Sequence, residues 1–253
     1  MEFDNLFLFG SAEGPSSSSQ IDEETRRGRE QILVYECEQL ALSRKIKRSP
    51  LIAIEGIDKV GKTTQFRRIV SRLNDTTRGA NYASFPRLHT PTGTIINQYL
   101  NHELVLDEAV VHHLFSANRW EMRQEFMADL KSCTPVVVDR YVASGRAYTI
   151  AGGRFDLEWA RQFDRGLIKP DLTIWLDGDA RLLSTRPGYG RHHLENLPFQ
   201  LRVQEAFGGM MEEGWVKVVV DGRSETEIFQ EIWGYLNGLF GTFHQEDRAL
   251  NFY

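Results

Sequence analysis

Cysteine is nearly missing from this sequence: two residues in 253, Cys37 and Cys133, far apart and outside any CxxC or Cys/His metal spacing. That argues against a disulfide framework or a zinc site, and the pair reads as buried thiols in a reducing compartment. Long apolar runs are missing too. No stretch approaches the ~18–20 residues that a membrane span needs. The apolar patch in "MEFDNLFLFGSAEG" carries Glu2 and Asp4 where a secretory signal needs positive charge. The expectation is a cytosolic protein with no membrane partner, the nucleus being left open. Nor is there an excess of positive charge. With 30 Lys and Arg against 35 Asp and Glu, the formal net charge is -5, so the overall field repels nucleic acid and none is expected as a partner.

What is present suffices for a sizeable core, since 41% of the residues are hydrophobic. Residues 1–20 end in "GPSSSSQ", a composition that buries too little apolar surface to offset ordering, and are expected to form a disordered arm. In residues 21–49, Leu33, Cys37, Leu40 and Ala41 recur at helical spacing, with acids early, bases late and Pro50 as a stop. This predicts one amphipathic helix, whose "SRKIKR" end complements the helix dipole. From residue 50 to 240 the pattern is regular. Short Ile- and Val-rich runs, "LIAIEG", "NYASFP", "VVVDRY", "LTIWLDG" and "VKVVVDG", alternate with longer periodic segments. Such alternation predicts an α/β domain with a parallel sheet covered on both faces, and a site at the carboxyl ends of its strands. Residues 241–253 are left as a C-terminal tail. There is no internal repeat.

The strand-like "LIAIE" runs into "GIDKVGKT", which matches G-x-x-x-x-G-K-[ST] through Gly56, Gly61, Lys62 and Thr63, and a helical segment follows. The pattern alone arises by chance in about one chain of this length in a hundred, and the strand and helix context makes an accident rarer still. The chemistry follows from the parts. Glycines let the backbone N–H groups of residues 56–64 (Gly56, Ile57, Asp58, Lys59, Val60, Gly61, Lys62, Thr63 and Thr64) wrap phosphates. Lys62 reaches the β- and γ-phosphates, and the Thr63 hydroxyl ligates Mg2+. A nucleoside triphosphate with Mg2+ is therefore expected. The motif does not distinguish a GTPase, an ATPase and a kinase.

Four further segments narrow the choice: "FPRLHTPTG" at 85–93, "HHLFSANRWE" at 112–121, "VVVDRYVASGRAY" at 136–148 and "KPDLTIWLDG" at 169–178. With "IEGIDKVGKTTQ" they resemble the thymidylate kinases, in particular their eukaryotic and poxvirus-like branch. The resemblance implies a P-loop nucleoside monophosphate kinase fold with a five-stranded parallel sheet and a mobile lid. It also implies ATP as donor, dTMP as acceptor and a homodimer. Phe115 then matches the aromatic that stacks on thymine, and Arg119 the arginine that hydrogen-bonds its exocyclic oxygen. Both fit the physics of a planar base with a carbonyl acceptor. Arg140 matches the grip on the acceptor phosphate, and Asp139 beside it orients that arginine or joins the Mg2+ shell. Phe85, Ser144 and Tyr148 match positions along the acceptor. Asp58 matches the aspartate that meets the 3'-hydroxyl, and Lys59 the basic residue that neutralises the transferring group. "STRPGYGRHHLENLPFQLRVQEAF" at 184–207 falls at the lid, where Arg186 and Arg191 are the cations. Arg191 is the one favoured for the moving phosphoryl group, and His192 and His193 receive no role.

Two departures stand out. The family ends its second strand in Phe-Pro-x-Arg, whereas Arg87 follows Pro86 directly; Arg87 is kept among the expected acceptor-binding residues, though a place early it would point away and cost the acceptor phosphate one grip. A tyrosine before the lid glutamate is replaced by Leu194, which leaves discrimination against ribonucleotides open. The competing functions are a deoxynucleoside kinase or a broader nucleoside monophosphate kinase, and a non-catalytic nucleotide-binding relative. Intact Lys62, Thr63 and Arg140 speak against the last.

Overall fold

The structure, a computed structural model, describes residues 44–75, 79–190 and 194–253. Lys45–Tyr253 form one compact unit. Residues 1–43, which hold the expected arm and most of the expected N-terminal helix, lie outside the described residues, and Cys37 with them.

Five strands, β1 (Leu51–Glu55), β2 (Asn81–Ser84), β3 (Val136–Asp139), β4 (Leu172–Asp177) and β5 (Trp215–Val219), pair in the order β2-β3-β1-β4-β5. All the pairings are parallel. The interior strands β1 and β3 read as apolar runs up to a closing acid because both of their faces are covered, and every residue of the two is buried. The edge strand β2 buries only Ala83.

Helix α1 (Lys62–Asn74) starts at Gly61, whose φ of 104° turns the chain out of the phosphate loop, and buries Phe66, Ile69, Val70 and Leu73 at helical spacing. Next come α2 (Pro91–Leu100), α3 (Glu108–Trp120), α4 (Arg123–Lys131) and α5 (Val142–Gly152). They are followed by α6 (Leu157–Arg161), α7 (Ala180–Leu183), α8 (Leu197–Gly209) and α9 (Glu225–Gln245). Side chains set several starts: Asp107 accepts from Ala109 N, Asn196 accepts from Phe199 N, and Ser224 and Glu227 form a reciprocal capping box. The last helix passes the expected domain boundary at 240 and ends at Gln245. None of the helices among the described residues is long and apolar enough to cross a membrane.

Two expectations need correction. Residues 44–49 do not continue a helix. Ile46 forms an antiparallel bridge with Arg248, and Arg48 is drawn inward to Asp171 (2.7 and 2.8 Å) and the Ala249 carbonyl. The residue before Pro50 is also biased away from helix. Cys133 is exposed rather than buried, because it occupies the left-handed turn (φ 62°) between α4 and β3.

Candidate active site

The carboxyl ends of β1 and β3 lie side by side, with Ile54 opposite Asp139, and the polar residues that end these buried runs converge there. Gly56 leaves β1 with φ 141°, and a Cβ at this position would stand 2.4 Å from the Leu176 carbonyl oxygen. Only glycine fits the turn, for conformation and space alike. Ile57 and Val60 turn into the core at 2% exposure, so they offer the loop's interior their backbone and not their side chains. Lys59 takes φ 62°, so that with Gly56 and Gly61 the loop holds three positive-φ positions, the kind of backbone that cradles anions. Lys62 is buried, and its Nζ donates to the Ile57 carbonyl at 2.6 Å. Burial, reinforced by the positive Arg140, pulls the Lys62 ammonium from its ordinary range down to about 7.

Thr63 Oγ1 donates to Asp139 Oδ2 at 2.8 Å. The other carboxylate oxygen, Asp139 Oδ1, is buried with no hydrogen-bond partner among the described residues. A hydroxyl, a carboxylate with an orphaned oxygen and phosphate oxygens make an all-oxygen donor set, which suits a hard cation that keeps much of its water. No cluster of three or more His, Cys, Asp or Glu side chains able to hold a metal occurs among the described residues. The donors fit Mg2+ held mainly through phosphate and water, and do not fit a protein-only cage.

Arg140 follows Asp139 with φ 65°, a conformation that costs a non-glycine residue on the order of 1 kcal/mol. The kink is held by Arg140 N donating to the Ile54 carbonyl at 2.9 Å. It delivers the guanidinium to Asp58, with which it forms an ion pair through Nη2 and Oδ1, while its Cζ lies 5.8 Å from the Tyr148 ring centroid. Asp58 also accepts from Tyr148 Oη (2.8 Å) and Gln200 Nε2 (2.9 Å). Burial works to raise the Asp58 carboxyl, but the charges of Arg140 and Lys62 outweigh it and hold the group below the usual carboxylate range. Glu55 ties the two strand ends together: it accepts from the backbone N–H of Tyr141 (2.9 Å) and Ser144 (3.2 Å) and from the Ser144 hydroxyl.

Beside this cluster opens a cavity of about 400 Å³, lined among others by Asp58, Phe85, Phe115, Arg119, Arg140, Ser144, Tyr148 and Leu194. It has the size and mixed lining of a small-ligand site. The Phe85–Pro86 peptide bond is cis, and Phe85 packs edge-on against Phe126. Arg119 is buried at 2% exposure, with Nη2 on Asp164 Oδ1 at 2.7 Å. Its guanidinium lies so close to Gly145 that a Cβ there would meet Nη1 at 2.7 Å. The glycine of "SGRAY" therefore makes room for this arginine.

Seven of the eight expected acceptor residues thus line one cavity. The exception is Arg87. Its Nη1 sits 3.0 Å from the Met122 sulfur, and its backbone N–H donates to Asn118 Oδ1 at 2.7 Å. Asn118 returns a bond to the Arg87 carbonyl at 3.1 Å, so the asparagine of "SANRW" fixes this turn. The lid touches the phosphate loop. Arg186 Nη1 donates to the Lys59 carbonyl at 2.6 Å, and Lys59 Nζ lies 3.7 Å from Glu195. Arg191, His192 and His193 lie outside the described residues.

Three buried residues that organise these side chains were not among the expected site residues. Gln200 is 1% exposed, accepts from Asp58 N (3.0 Å) and donates to Asp58 and to the Leu194 carbonyl (2.9 Å). Nothing in "PFQLR" marks it. Asp164 pairs Arg119 across 45 residues, and only its burial betrays it. Glu55 did carry a signal, as a charge ending a buried run.

Comparison with known proteins agrees with this geometry. A family model described as thymidylate kinase matches residues 54–232. The chain is 38% identical to a thymidylate kinase of Danio rerio over 189 residues, which is 74% of this chain and 89% of the relative. With the Dictyostelium discoideum thymidylate kinase it shares 37% identity over 74% of this chain and 84% of the relative. The solved thymidylate kinase of Candida albicans superposes with a TM-score of 0.74 at 30% identity, covering 81% of this chain and 98% of that one. The phosphate loop, the strand-end ion pair and the cavity beside them therefore sit in a member of a known group: the chain belongs to the thymidylate kinase family, phosphotransferases that act on dTMP.

Proposed function

We propose that the cavity beside the phosphate loop binds dTMP, and that the loop itself presents Mg2+-ATP to it. The product is dTDP, with ADP released. The observation that carries this assignment is the convergence of Asp58, Phe115, Arg119, Arg140, Ser144 and Tyr148 on one cavity adjoining Lys62 and Thr63. Backbone N–H groups of the loop at 56–64 wrap the donor phosphates, the Asp58 N–H apart, which Gln200 holds, and Lys62, restored to full charge by them, neutralises the β- and γ-groups. Mg2+ would be held by the Thr63 hydroxyl and Asp139, and would supply positive charge that offsets the donor phosphates.

Arg140 grips the acceptor phosphate with a fork suited to its oxygens, and Asp58 receives the sugar hydroxyl. Phe115 stacks on the base, and Arg119 donates to a base carbonyl. An oxygen of the acceptor phosphate then attacks the γ-phosphorus, and the bond from that phosphorus to the β–γ bridging oxygen breaks. Its electron pair leaves with ADP. Lys59 and the lid cations Arg186 and Arg191 share the charge of the moving group, an assignment supported by the contact of Arg186 with the Lys59 carbonyl.

Arg87, directed to Met122, is left without a part in acceptor binding. A homodimer is supported by Ile95 and Val110 standing exposed on α2 and α3, which pack against each other. The test is a coupled ADP-release assay with Mg2+-ATP across nucleoside monophosphates and thymidine. Highest kcat/KM with dTMP is expected. Turnover of thymidine in preference to dTMP would overturn the assignment in favour of a deoxynucleoside kinase.

A further inference from the structure

The family match ends at residue 232, yet residues 246–253 reach Arg146, the neighbour of the Gly145 that lines the acceptor cavity. This segment leaves α9 and pairs twice with the body: Ile46 with Arg248, and Ile168 with Phe252, both antiparallel. Tyr253 is locked on both sides, its N–H donating to the Leu167 carbonyl and its carbonyl accepting from Gly166 N, each at 3.0 Å. Leu250 is buried. The strap thereby sets the Tyr253 ring under the Arg146 guanidinium, 4.3 Å from its Cζ.

Arg146 in turn donates from Nε to Asp164 Oδ2 at 3.2 Å, and the other oxygen of Asp164 holds Arg119 Nη2 at 2.7 Å. Asp164 is fully buried, and Ser116 Oγ, 3.0 Å from Oδ1, completes its surroundings. One carboxylate thus serves two buried guanidinium groups. The surplus positive charge suits a neighbouring acceptor oxygen, and Arg119 keeps its Nε without a hydrogen-bond partner among the described residues. In such a shared pair, anything that displaces Arg146 re-aims Asp164 and, with it, the Arg119 guanidinium.

We propose that residues 246–253 form a strap that positions the base-reading Arg119 from behind, through the Tyr253 ring, Arg146 and Asp164. Base recognition then depends on a segment outside the family-matched region. Tyr253, Arg146 and Asp164 are positioning residues; none lies among the residues lining the acceptor cavity. This inference rests on the assignment of Arg119 to the acceptor base.

The experiment measures KM for dTMP and for ATP, kcat and Tm on the full chain carrying Tyr253→Leu, Tyr253→Phe, Asp164→Asn or Arg119→Ala. Tyr253 is half-buried, and losing its cation–π contact with Arg146 corresponds to about a fivefold effect. Tyr253→Leu is therefore expected to raise KM for dTMP about fivefold while KM for ATP and kcat stay within twofold. Tyr253→Phe, which keeps the ring, should restore the KM for dTMP. Asp164→Asn should raise it further, by about tenfold or more where the variant folds; if it does not fold, the two Tyr253 variants decide alone. A Tyr253→Leu protein with lowered Tm and unchanged KM for dTMP overturns the strap and leaves only a structural role. If Arg119→Ala itself leaves KM for dTMP unchanged, the base-pocket assignment falls and the inference with it. If Arg119→Ala raises it while Tyr253→Leu does not, only the strap is refuted.

Discussion

Lys62 offers the most direct test of the phosphate loop, because its charge state in the free protein differs from the one that donor phosphates require. Its ammonium is buried beside Arg140 and is held near pKa 7. Bound phosphates supply the negative charge that returns it to the ordinary lysine range near 10.5. At pH 8 the free site is then only about 10% protonated and the nucleotide-bound site almost fully so, which makes ATP binding take up about 0.9 proton. At pH 7 the lysine contribution falls to about 0.5 proton. The terminal phosphate, with a second pKa near 6, is already ionised at pH 8 and contributes little there. Titration calorimetry of Mg2+-ATP binding at pH 8, in buffers of different ionisation enthalpy, reads this number directly. Lys62→Met should bring it close to zero. Uptake below about 0.2 proton by the unaltered protein would refute the reasoning, by showing the lysine charged before phosphate arrives.

The same group shapes stability against pH. A lysine depressed on folding leaves the unfolded chain with more bound protons between about pH 7 and 10.5, so its contribution improves as pH rises through that window. Urea midpoints of the nucleotide-free protein at pH 7 and 9 should differ less in Lys62→Met than in the parent. Gly56→Ala places a Cβ 2.4 Å from the Leu176 carbonyl in a φ forbidden to alanine. The expected cost is about 3 kcal/mol, or a fall in Tm of roughly 6–12 °C, and an unchanged Tm would show that the turn relaxes freely. Arg48→Ala strips Asp171 of both guanidinium bonds at a site where both side chains are under 10% exposed. A loss of about 3–5 kcal/mol is expected in denaturant unfolding with KM values unaffected, and a loss below about 1 kcal/mol would demote the pair to a surface contact.

The legible parts of this protein share a cause. The five strand runs were found because burial on both faces leaves a continuous apolar signature. The phosphate loop was found because wrapping phosphate with backbone demands glycines at fixed offsets followed by lysine. Phe115, Arg119, Arg140, Ser144 and Tyr148 were reachable because α3 and the β3–α5 junction carry them in short contiguous motifs. Arg87 was expected in the cavity on motif position alone. The exchange of hydrogen bonds with Asn118 fixes the turn so that its side chain runs to Met122. The helix expected through residue 49 failed at its end, since long-range partners, Arg248 for Ile46 and Asp171 for Arg48, outcompete local propensity.

The sequence by itself determined the parallel α/β fold, the phosphate-binding loop and the family, because each is written in local spacing or in a buried run. The tertiary structure decided what depends on separation in the chain. It joined Asp58 to Arg140, Tyr148 and Gln200, set Asp164 between Arg119 and Arg146, and laid residues 246–253 behind them. These contacts are side-chain pairings and backbone bridges between residues about twenty to two hundred positions apart. Their strength comes from burial and from partners with unsatisfied charge, and neither is visible until the chain has closed on itself.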